Sequence, residues 1–184
     1  MNASPVVTNW CVITGAPSSG KTSVINVLRD RGFKVQDEAA RDIIEEGLAE
    51  GKTLAEIRAD AKTLQRKILA RKIAQEKALN PADLVFMDRG MPDSLSYYRL
   101  ASMEEGEPRK ASAHFRYRAV FLFDRLPLVK DDVRSEDDAT ADKIDHMLEA
   151  DYRDIGYVPV RVPVFTVTER ADFILKSLGL YQAA

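Results

Sequence analysis

The chain has 184 residues, 45% of them hydrophobic, and the charged 30% nearly cancel to a net charge of −2. This is enough for one domain, residues 1–184, with its own core, and the lack of a basic tail or stripe excludes an obvious nucleic-acid partner. No apolar run reaches the roughly 18 residues of a membrane span, residues 1–9 lack a signal peptide's basic start and apolar stretch, and the single Cys11 fits a reducing compartment, so the expected location is the cytoplasm.

Trp10–Thr14 predicts the first strand and residues 21–31 the first helix, with Val24, Val27 and Leu28 at helical spacing and Gly32 near the C-cap. Between them Gly15, Ala16, Pro17, Ser18, Ser19, Gly20, Lys21 and Thr22, followed by Ser23, match the phosphate-binding pattern G-x-x-x-x-G-K-[ST]. Each part has a task. The glycines let backbone N–H groups turn toward phosphate oxygens, Lys21 neutralises the β- and γ-phosphates, and the Thr22 hydroxyl ligates Mg²⁺. The positive end of the following helix adds to the attraction. The pattern implies a bound nucleoside triphosphate.

Residues 33–36 predict a short second strand, and helices follow over 38–50 and 54–79, separated by Gly51. In the second of these, Leu54, Ile57, Ala61, Leu64 and Ile68 form an apolar stripe, and Lys62, Arg66, Lys67, Arg71 and Lys72 occupy the remaining positions, expected to be a solvated face rather than one that attracts an anionic ligand. This long helix serves equally as an arm of an acceptor pocket or as a homodimer contact. Asn80-Pro81 ends it. Residues 82–87 are the third strand, 94–101 a helix, 102–113 a charged loop, and Ala119–Phe123 the fourth strand. A charged stretch at 125–138 reads as a lid, then come a helix over 139–155, a strand within 158–167 and a helix over 170–178. Alternating strands and helices predict an α/β fold, a parallel sheet covered on both faces.

In such sheets ligands bind at the carboxyl ends of the strands. There the second strand meets Asp37-Glu38, the third Asp88-Arg89 and the fourth Asp124-Arg125. Asp88 suits a magnesium-holding carboxylate, with a loop acid or N-cap as the plainer alternative. Glu38 is the first candidate for a base that takes a hydroxyl proton and Asp37 the second, unless either caps the next helix. Arg41 shares a face with Glu38 and suits an anionic acceptor. Arg89 suits an acceptor, a phosphate or a structural ion pair. Tyr97 and Tyr98 line a pocket or pack on a neighbouring helix. Arg134, with Arg125 at the lid's mouth, is the candidate for stabilising transition-state charge, against a plain solvated loop. His114 and His146 show no metal-ligand spacing.

Assembled, these residues resemble P-loop small-molecule kinases, and most of all the AAA-like predicted ATPases related to the ribosylnicotinamide kinase domain of bacterial NAD-salvage proteins. The matching pieces are Gly15 to Thr22, Glu38-Ala39-Ala40-Arg41, Asp88-Arg89-Gly90, Asp132-Val133-Arg134, the stretch from Leu148 to Pro163, and Glu169-Arg170. The resemblance covers nearly the whole chain and implies a P-loop sheet in the order 2-3-1-4-5, a lid after the fourth strand, ATP and Mg²⁺ as cofactors, and an acceptor pocket between the helices after strands two and three. It also implies that adenine lies near Arg125 and Thr168. It departs in one respect: no adenylyltransferase segment precedes the kinase-like part, so the NAD-salvage substrate is not carried over. At this length a ring-forming remodelling machine is not expected. Two functions stay open: a kinase acting on a hydroxyl of a small, nucleoside-like metabolite, or a regulatory NTPase whose output is a conformation.

Overall fold

The computed structural model describes residues 4–126 and 135–181. In chain order it runs through β1 (Val6–Val7), β2 (Trp10–Thr14), α1 (Lys21–Asp30), β3 (Lys34–Gln36), α2 (Ala39–Ala49), α3 (Leu54–Ala59) and α4 (Ala61–Ala78). It continues with β4 (Val85–Asp88), α5 (Asp93–Leu100), α6 (Gly106–Ser112), β5 (Phe115–Arg116), β6 (Ala119–Phe123), α7 (Ser135–Asp154), β7 (Val160–Val162) and α8 (Val167–Ser177).

Five strands form one parallel sheet in the order β3-β4-β2-β6-β7. Counted within that sheet this is 2-3-1-4-5, the order the resemblance implies. β2 is central and its strand residues are all buried, so it can be apolar on both sides. Cys11 and Ile13 face one way, into a core with Val24, Leu28, Ala171 and Ile174 of α1 and α8. Trp10 and Val12 face the other, into a core with Tyr117, Tyr152 and Tyr157. Helices thus cover both faces. Because β2 is flanked by β4 on one side and β6 on the other, the chain reverses its direction of travel at β2, and the crevice beyond its carboxyl end is where such sheets bind ligands.

Local chemistry accounts for the departures from expectation. The helix expected over 54–79 is two helices, because Asp60 caps the second by accepting from the Thr63 N–H at 2.9 Å. The first is closed at its own start by a reciprocal Thr53–Glu56 capping box. The expected loop at 102–113 contains α6, whose Pro108 sits in the first turn, where a missing N–H costs no helical bond. The fifth strand shrinks to three residues between Pro159 and Pro163. The last helix starts at Val167, set by a Thr166–Glu169 capping box. β1 and β5 form a small separate parallel pair.

Candidate active site

The phosphate loop leaves β2 at Thr14. Gly15 has φ 148°, and a Cβ there would lie 3.0 Å from both the Phe123 carbonyl oxygen and Ser19 Oγ, so only glycine fits between β6 and the loop. Lys21 opens α1 and is buried. Its ammonium donates to the Gly15 and Ala16 carbonyls at 3.0 and 2.8 Å and to Ser19 Oγ at 3.1 Å. These acceptors are uncharged, and burial followed by the nearby Arg89 guanidinium pushes the ammonium down to about 7. From the other side, Arg170 of α8 donates from Nη1 to the Ser19 carbonyl at 2.6 Å, from Nη2 to the Asp124 carbonyl at 3.1 Å and from Nε to the Pro163 carbonyl at 2.9 Å. One fully buried side chain therefore ties the loop to the ends of β6 and β7.

β4 ends in Asp88, which is buried, and its Oδ1 has no hydrogen-bond partner among the described residues. Burial and then the Glu38 carboxylate push Asp88 up to about 6, against the pull of Arg89 and Lys21. The next residue, Arg89, takes the left-handed backbone conformation at φ 68°, uncommon for a residue with a side chain. Its Nε donates to Glu38 Oε1 at 2.7 Å, and its Nη1 to Asp93 Oδ1 at 3.0 Å and to the Gly15 carbonyl at 3.2 Å. The guanidinium carbon lies 5.3 Å from the centre of the Tyr97 ring. Glu38 stands at the N-cap of α2, yet its side chain makes no capping bond and is spent on Arg89.

Asp93, wholly buried at the start of α5, is the hub. It accepts from Thr14 Oγ1 at 2.6 Å, Tyr152 OH at 2.6 Å, the Gly90 N–H at 3.2 Å and Arg89. Burial works against its charge, but Lys72, Arg89 and the two hydroxyls outweigh it and hold the carboxyl below its usual range. Gly90 is required by the same packing: a Cβ would lie 2.6 Å from Tyr152 OH.

The site residues expected from the sequence separate into three groups. Lys21, Glu38, Asp88 and Arg89 are brought together, and Arg41 joins them by donating to Thr22 Oγ1 at 3.0 Å. Tyr97 borders a cavity of about 100 Å³ whose walls include Glu38, Gln65, Ile68, Lys72 and Arg89. A larger hollow of about 630 Å³ between α2, α3 and α4 is bordered by surface charges such as Glu46, Lys52 and Lys67 and includes no strand end. Asp37 is not part of the cluster: it is more than half exposed and pairs with Arg29, which corrects its expected place on the acceptor. Lys72 is not on a solvated face, contrary to expectation; it is 7% exposed and donates to the Gly90 carbonyl at 2.8 Å. Its neighbour Arg71 does stay outside, paired with Glu46 at 2.8 Å. Tyr98 packs with Leu69 and Met91 in a core of its own. Arg125 pairs with Asp142, and Thr168 is exposed in the first turn of α8. Arg134, Asp132, Val133 and most of the expected lid lie outside the described residues. Of the residues that build the site, Asp93 carries no sequence expectation, Lys72 was expected on a solvated face, and Arg170 stood only as part of the matching pair Glu169-Arg170. The one available signal for Asp93 was its place four residues after Arg89, one helical turn on.

The donor set suits a magnesium ion. Mg²⁺ keeps several waters and is held by one or two protein oxygens plus substrate phosphates. A buried carboxylate oxygen without a partner, on Asp88, and a threonine hydroxyl at the first turn of α1 provide that, and no cluster of three or more His, Cys, Asp or Glu occurs among the described residues.

A phosphate loop leaving the central strand of a 2-3-1-4-5 parallel sheet, with an acid ending the adjacent strand, defines the class of P-loop nucleotide-binding folds. Within it the chain belongs to the AAA domain family, which matches residues 10–170. No curated protein matches it significantly. Among solved structures, the fold is similar to NadR protein in complex with NR, at 16% identity and a TM-score of 0.70, covering 96% of this chain and 53% of that one. NadR protein in complex with NAD and AMP-PNP is similar at 14% identity and a TM-score of 0.69, with 96% and 51% covered. The chain thus spans about half the length of the NadR proteins. Thymidylate kinase from Ehrlichia chaffeensis matches over nearly its whole length, 95% of this chain and 99% of that one, at 11% identity and a TM-score of 0.64.

Proposed function

We propose that this protein is a cytoplasmic kinase, residues 1–184 forming one P-loop domain, that uses ATP and Mg²⁺ to phosphorylate a hydroxyl of a small, nucleoside-like metabolite. The observation that carries this reading is the cavity bordered by Glu38, Arg89 and Tyr97, which adjoins a phosphate loop through Arg89's bond to the Gly15 carbonyl. A switch protein needs the loop but no such acceptor cavity. The fold likeness to NadR and thymidylate kinase supports the same reading at the level of architecture.

In this mechanism the loop from Gly15 to Ser23 holds the triphosphate. Lys21 leaves the carbonyls it now binds and turns its charge to the β- and γ-phosphates. Thr22 and Asp88 would hold a magnesium ion, which would offset phosphate charge. Adenine is placed toward Arg125 and Thr168, and Arg134, outside the described residues, is the proposed stabiliser of the transferring phosphoryl group. Glu38 accepts the acceptor's hydroxyl proton. The acceptor oxygen then bonds to the γ-phosphorus as the bond from that phosphorus to the β,γ-bridging oxygen breaks, and ADP leaves. Arg89 fixes Glu38 through its Nε, and Arg41 holds the Thr22 hydroxyl in place.

Incubation with ATP, Mg²⁺ and a panel of nucleosides and vitamins should yield a phosphorylated product. In the Glu38→Gln variant ATP binding should persist while turnover falls by about 10²–10⁴-fold, the usual worth of a general base. Slow phosphate release with no phosphorylated acceptor would overturn the reading. Capture of a protein partner that depends on triphosphate rather than diphosphate would establish the regulatory alternative.

A further inference from the structure

Lys72 is a buried cation without a charged partner in hydrogen-bonding contact. Its ammonium has three N–H donors, and the described acceptors are the Gly90 carbonyl at 2.8 Å and Ser94 Oγ at 3.3 Å, both uncharged. The nearest acid on α5, Asp93, is spent on Thr14, Arg89, Gly90 and Tyr152. Burying an ammonium with neutral acceptors alone is costly, and an oxyanion placed against it recovers much of that cost. Burial accordingly lowers the affinity of Lys72 for its proton.

Three carboxyl groups lie near Lys72, but Glu76, one turn on along α4, is bonded to Tyr117 OH, and Asp93 is taken up by its own partners. Asp93 is wholly buried behind the site, whereas Lys72, Arg89 and Glu38 border the cavity. The wall therefore carries two cations and one carboxylate, and that carboxylate is already bonded to Arg89. The cavity, about 100 Å³, has room for a small polar group between the two cations.

Resting on the kinase reading of this site, we infer that the cavity is an oxyanion subsite: the acceptor carries a carboxylate or a phosphate monoester, and that group docks on Lys72 while the reacting hydroxyl stays by Glu38. Lys72 is then the residue that selects anionic acceptors over neutral ones.

The test uses the full chain saturated with AMP-PNP and Mg²⁺, so that the phosphate loop is filled, with lysine side chains ¹³C-labelled at the ε carbon. Acetate, methyl phosphate and the uncharged acetamide are titrated in turn. Acetate or methyl phosphate should give a saturable shift of the Lys72 resonance, and the tighter of the two identifies the acceptor's anionic group. Lys72→Met should weaken that binding by at least about 10-fold, the scale of a hydrogen bond to a charged group, with AMP-PNP affinity unchanged. No shift with either anion, equal binding of acetamide, or equal anion binding by Lys72→Met overturns the inference. Should that variant not fold, the wild-type comparison of acetate with acetamide decides alone. Should AMP-PNP not bind, the kinase reading fails, and the acetate titration of the unliganded protein still decides whether the subsite exists.

Discussion

The two walls of the cleft are held by opposite means. On the phosphate-loop side, Lys21 and Arg170 donate to carbonyl oxygens and a hydroxyl, so two buried cations rest on uncharged acceptors. On the acceptor side, Arg89 is bound by the carboxylates of Glu38 and Asp93, and Asp93 collects hydroxyl and N–H donors besides. The first wall keeps charge without an ionic partner, ready for an anion. On the second, the Arg89, Glu38 and Asp93 group is already neutralised and acts as a fixed frame, beside which Lys72 alone rests on uncharged acceptors. A residue's contribution to stability and its contribution to ligand binding should therefore differ between the two sides.

Asp93→Asn attacks the frame and should have the largest effect. It removes a carboxylate from a buried pair and leaves the Arg89 charge undercompensated, an event that typically costs about 3–5 kcal/mol. Urea denaturation of the unliganded protein measures it, and a loss under about 1 kcal/mol would remove the distinction between the walls. Lys21→Ala should behave in the reverse sense. Nucleotide turnover should fall by about 10²–10³-fold, as when an electrostatic donor to a developing charge is deleted, while the unliganded protein loses little stability, because the deleted charge was buried without an ionic partner. Steady-state kinetics beside the same denaturation assay show both halves. If Lys21→Ala unfolds as readily as Asp93→Asn, the contrast is broken.

The smallest effect is a pH dependence behind the acceptor wall. Glu76, one turn beyond Lys72 on α4, accepts from Tyr117 OH at 2.5 Å and is pushed up by burial from 4.5 to about 7. Between those values the folded protein holds a proton that the unfolded chain has lost, so this group's contribution to stability falls as pH rises. Its share of the slope is at most about 1.4 kcal/mol per pH unit. Glu76→Gln should flatten that share, seen as a smaller difference between denaturation midpoints at about pH 5 and about pH 7. An unchanged slope would assign the wild-type trend to Asp88, which is likewise raised, to about 6.

The phosphate loop was legible because its whole chemistry lies in one contiguous run, and the strands because β4 and β6 are short apolar segments ending in charge and β2 is one that runs into the loop. The acceptor wall was legible only in pieces. Lys72 and Glu76 sit among residues whose spacing reads as solvated, and they are buried because α4 lies over the start of α5, a tertiary fact that helical periodicity does not carry. Asp93 lies one residue before the helix expected at 94–101 and carries no motif of its own; its role comes from Thr14 and Tyr152, 79 and 59 residues away in sequence. The break at Asp60 was hidden by an apolar stripe that runs unbroken through the cap. Glu38 and Asp37 were told apart only by their partners, Arg89 for one and Arg29 for the other.

The bond from Arg170 to the Ser19 carbonyl spans 151 residues. During synthesis the segment around Ser19 emerges 151 residues before its clamp, and β2 itself must wait for β4 and β6 before it has neighbours on both sides. Such a chain cannot complete its loop domain-end first; contacts this distant in sequence form late and slowly, with apolar strands exposed meanwhile. A nascent or C-terminally clipped chain therefore displays the most recognisable motif of the protein without the grip that sets its shape.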